Sequence, residues 1–271
     1  MKKLLAVLLV LTLSLGLSSA LAAETIIIGA TSTPHAEVLE YVREDLVALG
    51  YDLDIRIVTD YPISNPATAA GDMMANYFQH MAYLNAYNRE VPEQEQLVAA
   101  ISTHYEPYGI YAGTKSSLED IADGDSIVIT NDPSNEARAL LLLQECGYIT
   151  LPEGSGLDSE LTVLDIIDNP KKLNIVEMNA ELIPAALDDV SFAIINGNYA
   201  IDAGLKPGSD ALRLEDPQGE SGQLLVNYVV IRPADADAPW VEALRTVLQS
   251  EKVKDYMNTN EKYAQGVIPV F

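Results

Sequence analysis

Short apolar runs, each followed by a helix-like stretch, recur along the chain, and this alternation constrains the fold more than any other feature. Residues 25–28 read as a buried strand that ends at Gly29. A helix pattern follows at 34–49, with Pro34 near its start and Gly50 just past its end. Residues 53–58 alternate as a second strand. Residues 126–130 form another apolar run, followed by Asn131-Asp132-Pro133 and a helix pattern closed by Gly147. Further strands are read at 110–112, 175–177, 192–195 and 224–231, with a helix at 180–187. Repeated β-then-α units predict an α/β architecture with largely parallel sheets.

Residues 1–22 stand apart from this pattern. Lys2 and Lys3 precede an apolar run at 4–17, and Ala20-Leu21-Ala22 supplies a small-residue cleavage site, so 1–22 reads as the signal peptide of an exported protein. The run is shorter than the roughly 20 residues a membrane span needs. The remaining chain is long for one core, which predicts two lobes. One lobe would hold 24–108 completed by 226–271, and the other 109–225. The strands at 110–112 and 224–231 would cross between them and leave a ligand cleft.

Charge excludes whole classes of partner. The chain has 40 acidic against 16 basic residues and a formal net charge of −24. Such a surface repels phosphate backbones and anionic lipid, so no nucleic acid or basic membrane adhesion is expected. An apolar content of 48% is too high for a solvated acidic tail. The single cysteine, Cys146, leaves no internal disulfide framework and no CxxC metal site.

Within that acidic background, residues 116–170 contain one base, Arg138, and twelve acids. Asp132 as N-cap and Pro133 at the first helical position place Arg138 early in a helix, after a loop at the carboxyl end of a strand. Open α/β sheets bind ligands there, and an Arg fork can grip a carboxylate with two prongs. A local salt bridge explains the same residue equally well. Six of the fourteen tyrosines lie between Tyr77 and Tyr111, with Phe78, His80 and His104 among them. They could line a pocket for a small, partly apolar ligand or fill an ordinary strand-rich core. The three histidines, His35, His80 and His104, match no compact metal-ligand spacing. There is no GxSxG, HExxH or Walker-type glycine loop, so catalysis is not expected.

Several longer runs carry a resemblance. They are Gly29-Ala30-Thr31 with Pro34-His35-Ala36-Glu37, Thr59-Asp60-Tyr61, Asn76-Tyr77-Phe78-Gln79-His80 with Tyr83-Leu84, and His104-Tyr105-Glu106-Pro107. Asn131-Asp132-Pro133-Ser134-Asn135 with Arg138-Ala139-Leu140, Ile195-Asn196-Gly197-Asn198-Tyr199-Ala200 and Glu215-Asp216 continue the series. In this order they resemble the NlpA/MetQ family, methionine-binding extracytoplasmic components of ABC importers.

The resemblance implies a two-lobed periplasmic-binding-protein fold that closes around one amino acid, with no cofactor and no chemistry. It implies that Arg138 holds the α-carboxylate and that Asn196 and Asn227 orient the amino and carboxylate groups. Tyr61, Phe78, His80, Tyr83 and His104 would enclose the thioether, a sound match for sulfur against aromatic edges. The implied cargo is L-methionine, delivered by a monomer to a membrane permease. Another small amino acid or a methionine peptide is the near alternative. A zinc- or manganese-binding protein using His35, His80 and His104 is the distant one.

Two departures stand out. The family's lipid-bearing cysteine after the leader is absent, since residues 20–24 read Ala-Leu-Ala-Ala-Glu. The stretch 216–225 is longer than the family's and lacks its Ser-Pro-Tyr before Val226-Asn227. The expected product is therefore a soluble periplasmic protein without a membrane anchor. Intact-mass measurement of the exported protein should give an unmodified N-terminus at Ala23 or Glu24; a diacylglycerol adduct would contradict it.

Overall fold

The computed structural model describes residues 23–216 and 222–271; the leader reading falls outside these residues. Among the described residues there are eleven strands: β1 (Glu24–Ala30), β2 (Tyr51–Ile57), β3 (Ala75–His80), β4 (Val98–Tyr105), β5 (Gly109–Ala112), β6 (Ser126–Thr130), β7 (Asn174–Met178), β8 (Phe192–Ile195), β9 (Ala211–Leu214), β10 (Val226–Ile231) and β11 (Ile268–Pro269). They form two mixed sheets, ordered β11-β4-β10-β3-β1-β2 and β7-β6-β8-β5-β9. Each sheet has a parallel half. β1 runs parallel to β2 and β3, and β6 runs parallel to β7 and β8. The chain leaves the first sheet after Tyr105 and enters the second at Gly109. It returns between Leu214 and Val226.

Each sheet carries its own apolar core. Ile26, Ile28, Val229 and Ile231 pack with Trp240, Leu244 and Leu248 in the first. Ile127, Ile129, Phe192 and Ile194 pack with Leu140 and Leu143 of the helix Pro133–Glu145 in the second. A third cluster spans the cleft and joins Tyr61 and Phe78 to Ile195, Tyr199 and Ala200.

Two expected helices differ in form. The 34–49 pattern becomes a wide turn at Ser32–Ala36 and two short helices, Glu37–Tyr41 and Arg43–Ala48. They part at Val42, whose N–H bonds back only three residues to Leu39. The 180–187 pattern becomes the 3-10 helix Ala180–Asp189, because Pro184 inside it removes a helical donor and crowds the preceding turn.

Strand β3 was hidden in the sequence by its polar letters. It reads Ala-Asn-Tyr-Phe-Gln-His and is buried at every position, because β1 and β10 flank it on both sides. Asn76 and Gln79 are tolerated there because Asn65 and Thr68 satisfy their amides at 2.5–3.0 Å.

The separate cores predict separate responses to mutation. Leu140→Ala leaves a cavity in the second core, which typically costs about 2–5 kcal/mol. Trp240, the single tryptophan, reports the first core. Denaturant unfolding of Leu140→Ala followed by far-UV circular dichroism should shift further than unfolding followed by tryptophan fluorescence. Equal shifts would mean that both cores unfold as one unit.

Candidate functional site

The carboxyl ends of the parallel strands in both sheets face one another, and a small cavity of about 20 Å³ lies between them. From the first sheet come Phe78, Gln79 and His80 at the end of β3, Asn227 at the start of β10, and Tyr61 and Tyr83 from flanking helical turns. From the second come Asn135 and Arg138 of the helix Pro133–Glu145, and Asn196, Gly197 and Asn198 after β8. Glu106, in the first connection between the sheets, completes the lining.

Seven of the eight residues singled out in the sequence therefore line one cavity. His104 does not. Expected at the side-chain wall, it is fully buried behind Glu106, with Nε2 on Glu106 Oε1 at 2.7 Å and Nδ1 at 2.9 Å from the Tyr77 hydroxyl. Both ring nitrogens are thus engaged, and Glu106, two residues on, takes the place at the cavity surface.

The helix bearing Arg138 starts as its sequence indicates. The Asp132 side chain accepts the Asn135 N–H at 3.0 Å, and Pro133 fills the first position. Arg138 is buried, and most of its donors are committed. Nε lies 3.0 and 3.1 Å from the two Glu215 carboxylate oxygens. Nη2 donates to Glu215 Oε2 at 2.5 Å and to the Glu106 backbone carbonyl at 2.6 Å. The guanidinium also lies over the Tyr108 ring, 4.4 Å from its centroid. Only Nη1 has no hydrogen-bond partner among the described residues. A two-pronged grip on a ligand was expected of Arg138; Nε and Nη2 are instead spent on Glu215 and the Glu106 carbonyl.

Glu215 stabilises this arrangement in return. Burial disfavours its charge, yet Arg138, the Tyr105 hydroxyl and the Tyr108 N–H outweigh that cost and hold its carboxyl below the usual glutamate range. Desolvation opposes the Arg138 charge too, and Glu215 more than restores it.

Three asparagine amides are oriented by their neighbours. Asn196 Oδ1 accepts from the Tyr108 hydroxyl at 3.1 Å, Asn198 Oδ1 from the Tyr61 hydroxyl at 2.5 Å, and Asn227 Oδ1 from His35 Nε2 at 3.3 Å. With each oxygen used, the amide nitrogens remain as donors at the cavity. Part of the lining is aromatic. Tyr61, Phe78 and Tyr83 meet at centroid distances of 5.4–5.8 Å, and His80 stands 6.5 Å from Tyr83. Burial and then Arg138 push the His80 pKa down to about 4, so its ring is neutral. Its Nδ1 accepts the Tyr83 N–H and its Nε2 donates to Asn135 Oδ1 at 3.0 Å, tying the two sheets together.

Among the described residues one histidine–carboxylate group has ligand atoms close enough for a metal: His35, His104 and Glu106, all within 4.8 Å. His80 is not part of it, so the three-histidine arrangement weighed from the sequence does not form. The donor set is already spent on hydrogen bonds, since His35 Nε2 donates to Asn227 Oδ1 at 3.3 Å and His104 Nε2 donates to Glu106 at 2.7 Å.

Sequence reasoning missed Glu106, Asn135, Asn198 and Gln79 as lining residues, and Glu215 as the partner of Arg138. All five stand inside motifs quoted above. Nothing local marks Glu215, which lies 77 residues from the arginine it pairs with.

Two lobes of α/β structure with a polar and aromatic cleft at facing strand ends define a solute-binding-protein fold. The chain belongs to the NlpA lipoprotein family, whose family model matches residues 26–271. It is 36% identical over 247 residues to the methionine-binding lipoprotein MetQ of Bacillus subtilis, covering 90% of this chain and 88% of that protein. Among solved structures it is similar to a nutrient binding protein from Burkholderia cenocepacia bound to methionine, at 37% identity and a TM-score of 0.84. That match covers 91% of this chain and 100% of the other. A periplasmic substrate-binding protein of an ABC transporter from Coxiella burnetii matches at 34% identity and a TM-score of 0.82, over 90% and 100% of the two chains.

The ion pair makes a stability prediction. Arg138→Ala strands a buried Glu215 and should destabilise the protein by about 3–5 kcal/mol in denaturant titrations at neutral pH. Glu215 has a lowered folded pKa, so its contribution is present above the unfolded value of about 4.3 and fades as pH falls below it. Glu215→Gln should therefore flatten the acid limb of the stability profile. An unchanged acid limb would contradict the pairing.

Proposed function

We propose that the protein captures L-methionine between its lobes, 24–108 with 226–271 and 109–225, and delivers it to the membrane permease of an ABC importer. It performs no chemistry. The observation that carries this reading is the make-up of the cavity, whose lining joins hydrogen-bond donors to neutral aromatic rings. The donors are Arg138 Nη1 and the amides of Asn196, Asn198 and Asn227, which suit a carboxylate. Tyr61, Phe78, Tyr83 and the neutral His80 suit an unbranched thioether. The methionine-bound relative supports the same ligand.

Binding energy would be gained by closure. Tyr61 to Asn198 and His80 to Asn135 already bond across the cleft, and the Tyr199 hydroxyl donates to the Thr59 carbonyl at 2.9 Å. A ligand touching both walls favours this closed state over an open one by its differential contacts. The chain's one cysteine, Cys146, follows the helix Pro133–Glu145, and we read the working form as an exported, unlipidated monomer.

Titration calorimetry against a panel of amino acids, dipeptides and metal ions tests the ligand. L-methionine should bind most tightly, and preference for another amino acid, a methionine peptide or zinc would replace this reading. Phe78→Ala removes a buried ring from the aromatic wall and should weaken methionine by about 2–4 kcal/mol. Alanine, which does not reach that wall, should lose far less. Equal losses for both ligands would make Phe78 a support of the fold alone.

A further inference from the structure

A second space lies between the lobes. A groove of about 540 Å³ adjoins the cavity, and the two share Tyr61 and Tyr83 in their linings. These rings stand edge to face with centroids 5.8 Å apart and form the partition between the two spaces. Beyond them the groove is built by Pro62, Pro66, Ala86 and Tyr87 of the first lobe and by Asn131 and Pro133 of the second. The partition is tethered on one side only. The Tyr61 hydroxyl donates to Asn198 Oδ1 at 2.5 Å. Tyr83 is held through its backbone N–H, 3.1 Å from His80 Nδ1, and its hydroxyl has no hydrogen-bond partner among the described residues. The cavity's own volume of about 20 Å³ holds roughly one water molecule, so room for an amino-acid side chain has to come from a wall that yields. Tyr83 is the wall residue with space behind it and nothing holding its tip.

The groove also has a sign. None of the described residues lining it is basic, and Glu90 and Asp132 are acidic. Asp132 is committed to its helix cap, where it accepts from Thr130, Ser134 and Asn135. The Glu90 carboxylate is exposed and has no hydrogen bond or ion pair among the described residues. Its neighbour Arg89 reaches instead to Glu160, 3.4 Å away. Burial and then Asp132, Asp60 and Glu90 raise the Tyr83 hydroxyl above the usual tyrosine range, which marks a negative field at this ring. Aromatic faces attract cations in their own right, and three tyrosines, Tyr61, Tyr83 and Tyr87, line the groove.

A thioether seated against Phe78 and Tyr83 would direct its far end at the partition. Alkylation of that sulfur gives a sulfonium, a fixed positive charge that carries a third substituent. We propose that cavity and groove are two parts of one site, which binds sulfonium derivatives of methionine: Tyr83 swings to admit the third substituent into the groove, where the tyrosines and Glu90 meet the charge. The amino-acid end stays in the cavity. This assignment rests on the methionine reading above and extends its ligand class from a neutral thioether to a bulkier cation. Glu90 is solvent-exposed, so its share of the attraction is modest and screened by salt, and the aromatic rings supply the rest.

Calorimetry with L-methionine, S-adenosyl-L-methionine and S-adenosyl-L-homocysteine decides the matter. The two adenosyl compounds share the bulky substituent, and only S-adenosyl-L-methionine is a sulfonium. Wild type should bind it within about tenfold of methionine and at least about tenfold more tightly than S-adenosyl-L-homocysteine. Ala86→Trp fills the groove from the helix Met81–Glu90. It should weaken the sulfonium on the order of a hundredfold while leaving methionine within about threefold, and that retained binding also proves the variant folded. Should it not fold, Glu90→Gln at its exposed position still decides: the sulfonium should weaken by about threefold and methionine should not change. A wild type that binds methionine but not the sulfonium overturns the assignment. Equal affinities for the two adenosyl compounds, or equal losses for methionine and the sulfonium in either variant, overturn it too. Wild type that binds none of the three overturns the methionine reading itself and this assignment with it.

Discussion

A buried guanidinium holds this molecule's cleft together. Removing Arg138 from water is costly, and the fold offsets that cost with partners from both connections between the sheets. Glu106 and Tyr108 belong to the first connection, and Glu215 opens the second. Glu215 also accepts from the Tyr105 hydroxyl at 2.6 Å, and its backbone N–H bonds to the Tyr108 carbonyl at 2.9 Å. The two connections are therefore stapled to each other and to the ligand-facing helix through one side chain.

That economy shapes the rest of the site. With Nε and Nη2 occupied, the guanidinium does not swing, so the position of its remaining donor is set before a ligand arrives. The asparagines follow the same logic. Each carboxamide oxygen is pinned by a hydroxyl or imidazole, which fixes which end of the amide faces inward. Preorganised donors lose little freedom when they bind, and binding energy is kept for discrimination. The aromatic wall is preorganised by packing, through ring contacts that include Tyr61 with Tyr199 at 5.0 Å across the cleft.

The acidic surface and the site are electrically separate. A net charge of −24 is spread over the exterior, whereas the cavity lining holds one arginine, Arg138, one carboxylate, Glu106, and one neutral histidine, His80. Surface charge acts at long range and is screened by salt within about 10 Å. The charges that face the cavity act at hydrogen-bond distance under low local dielectric, so they govern what binds.

The sequence by itself determined the α/β class, the cap and start of the helix that carries Arg138, and the aromatic run from Tyr77 to Tyr83. Those features depend on near neighbours: an Asp-Pro start, an apolar run, a glycine after a helix. It also marked Arg138 as unusual, one base among twelve acids, without settling what it pairs with. Only the tertiary structure decided that Glu215, 77 residues away, takes most of its fork. Only the structure placed His104 behind Glu106 and brought β3, with its polar letters, to the centre of a sheet. The reason is physical. Local propensity is set by residues a few positions apart, whereas the partner of a buried polar group depends on which distant strand ends the topology brings together.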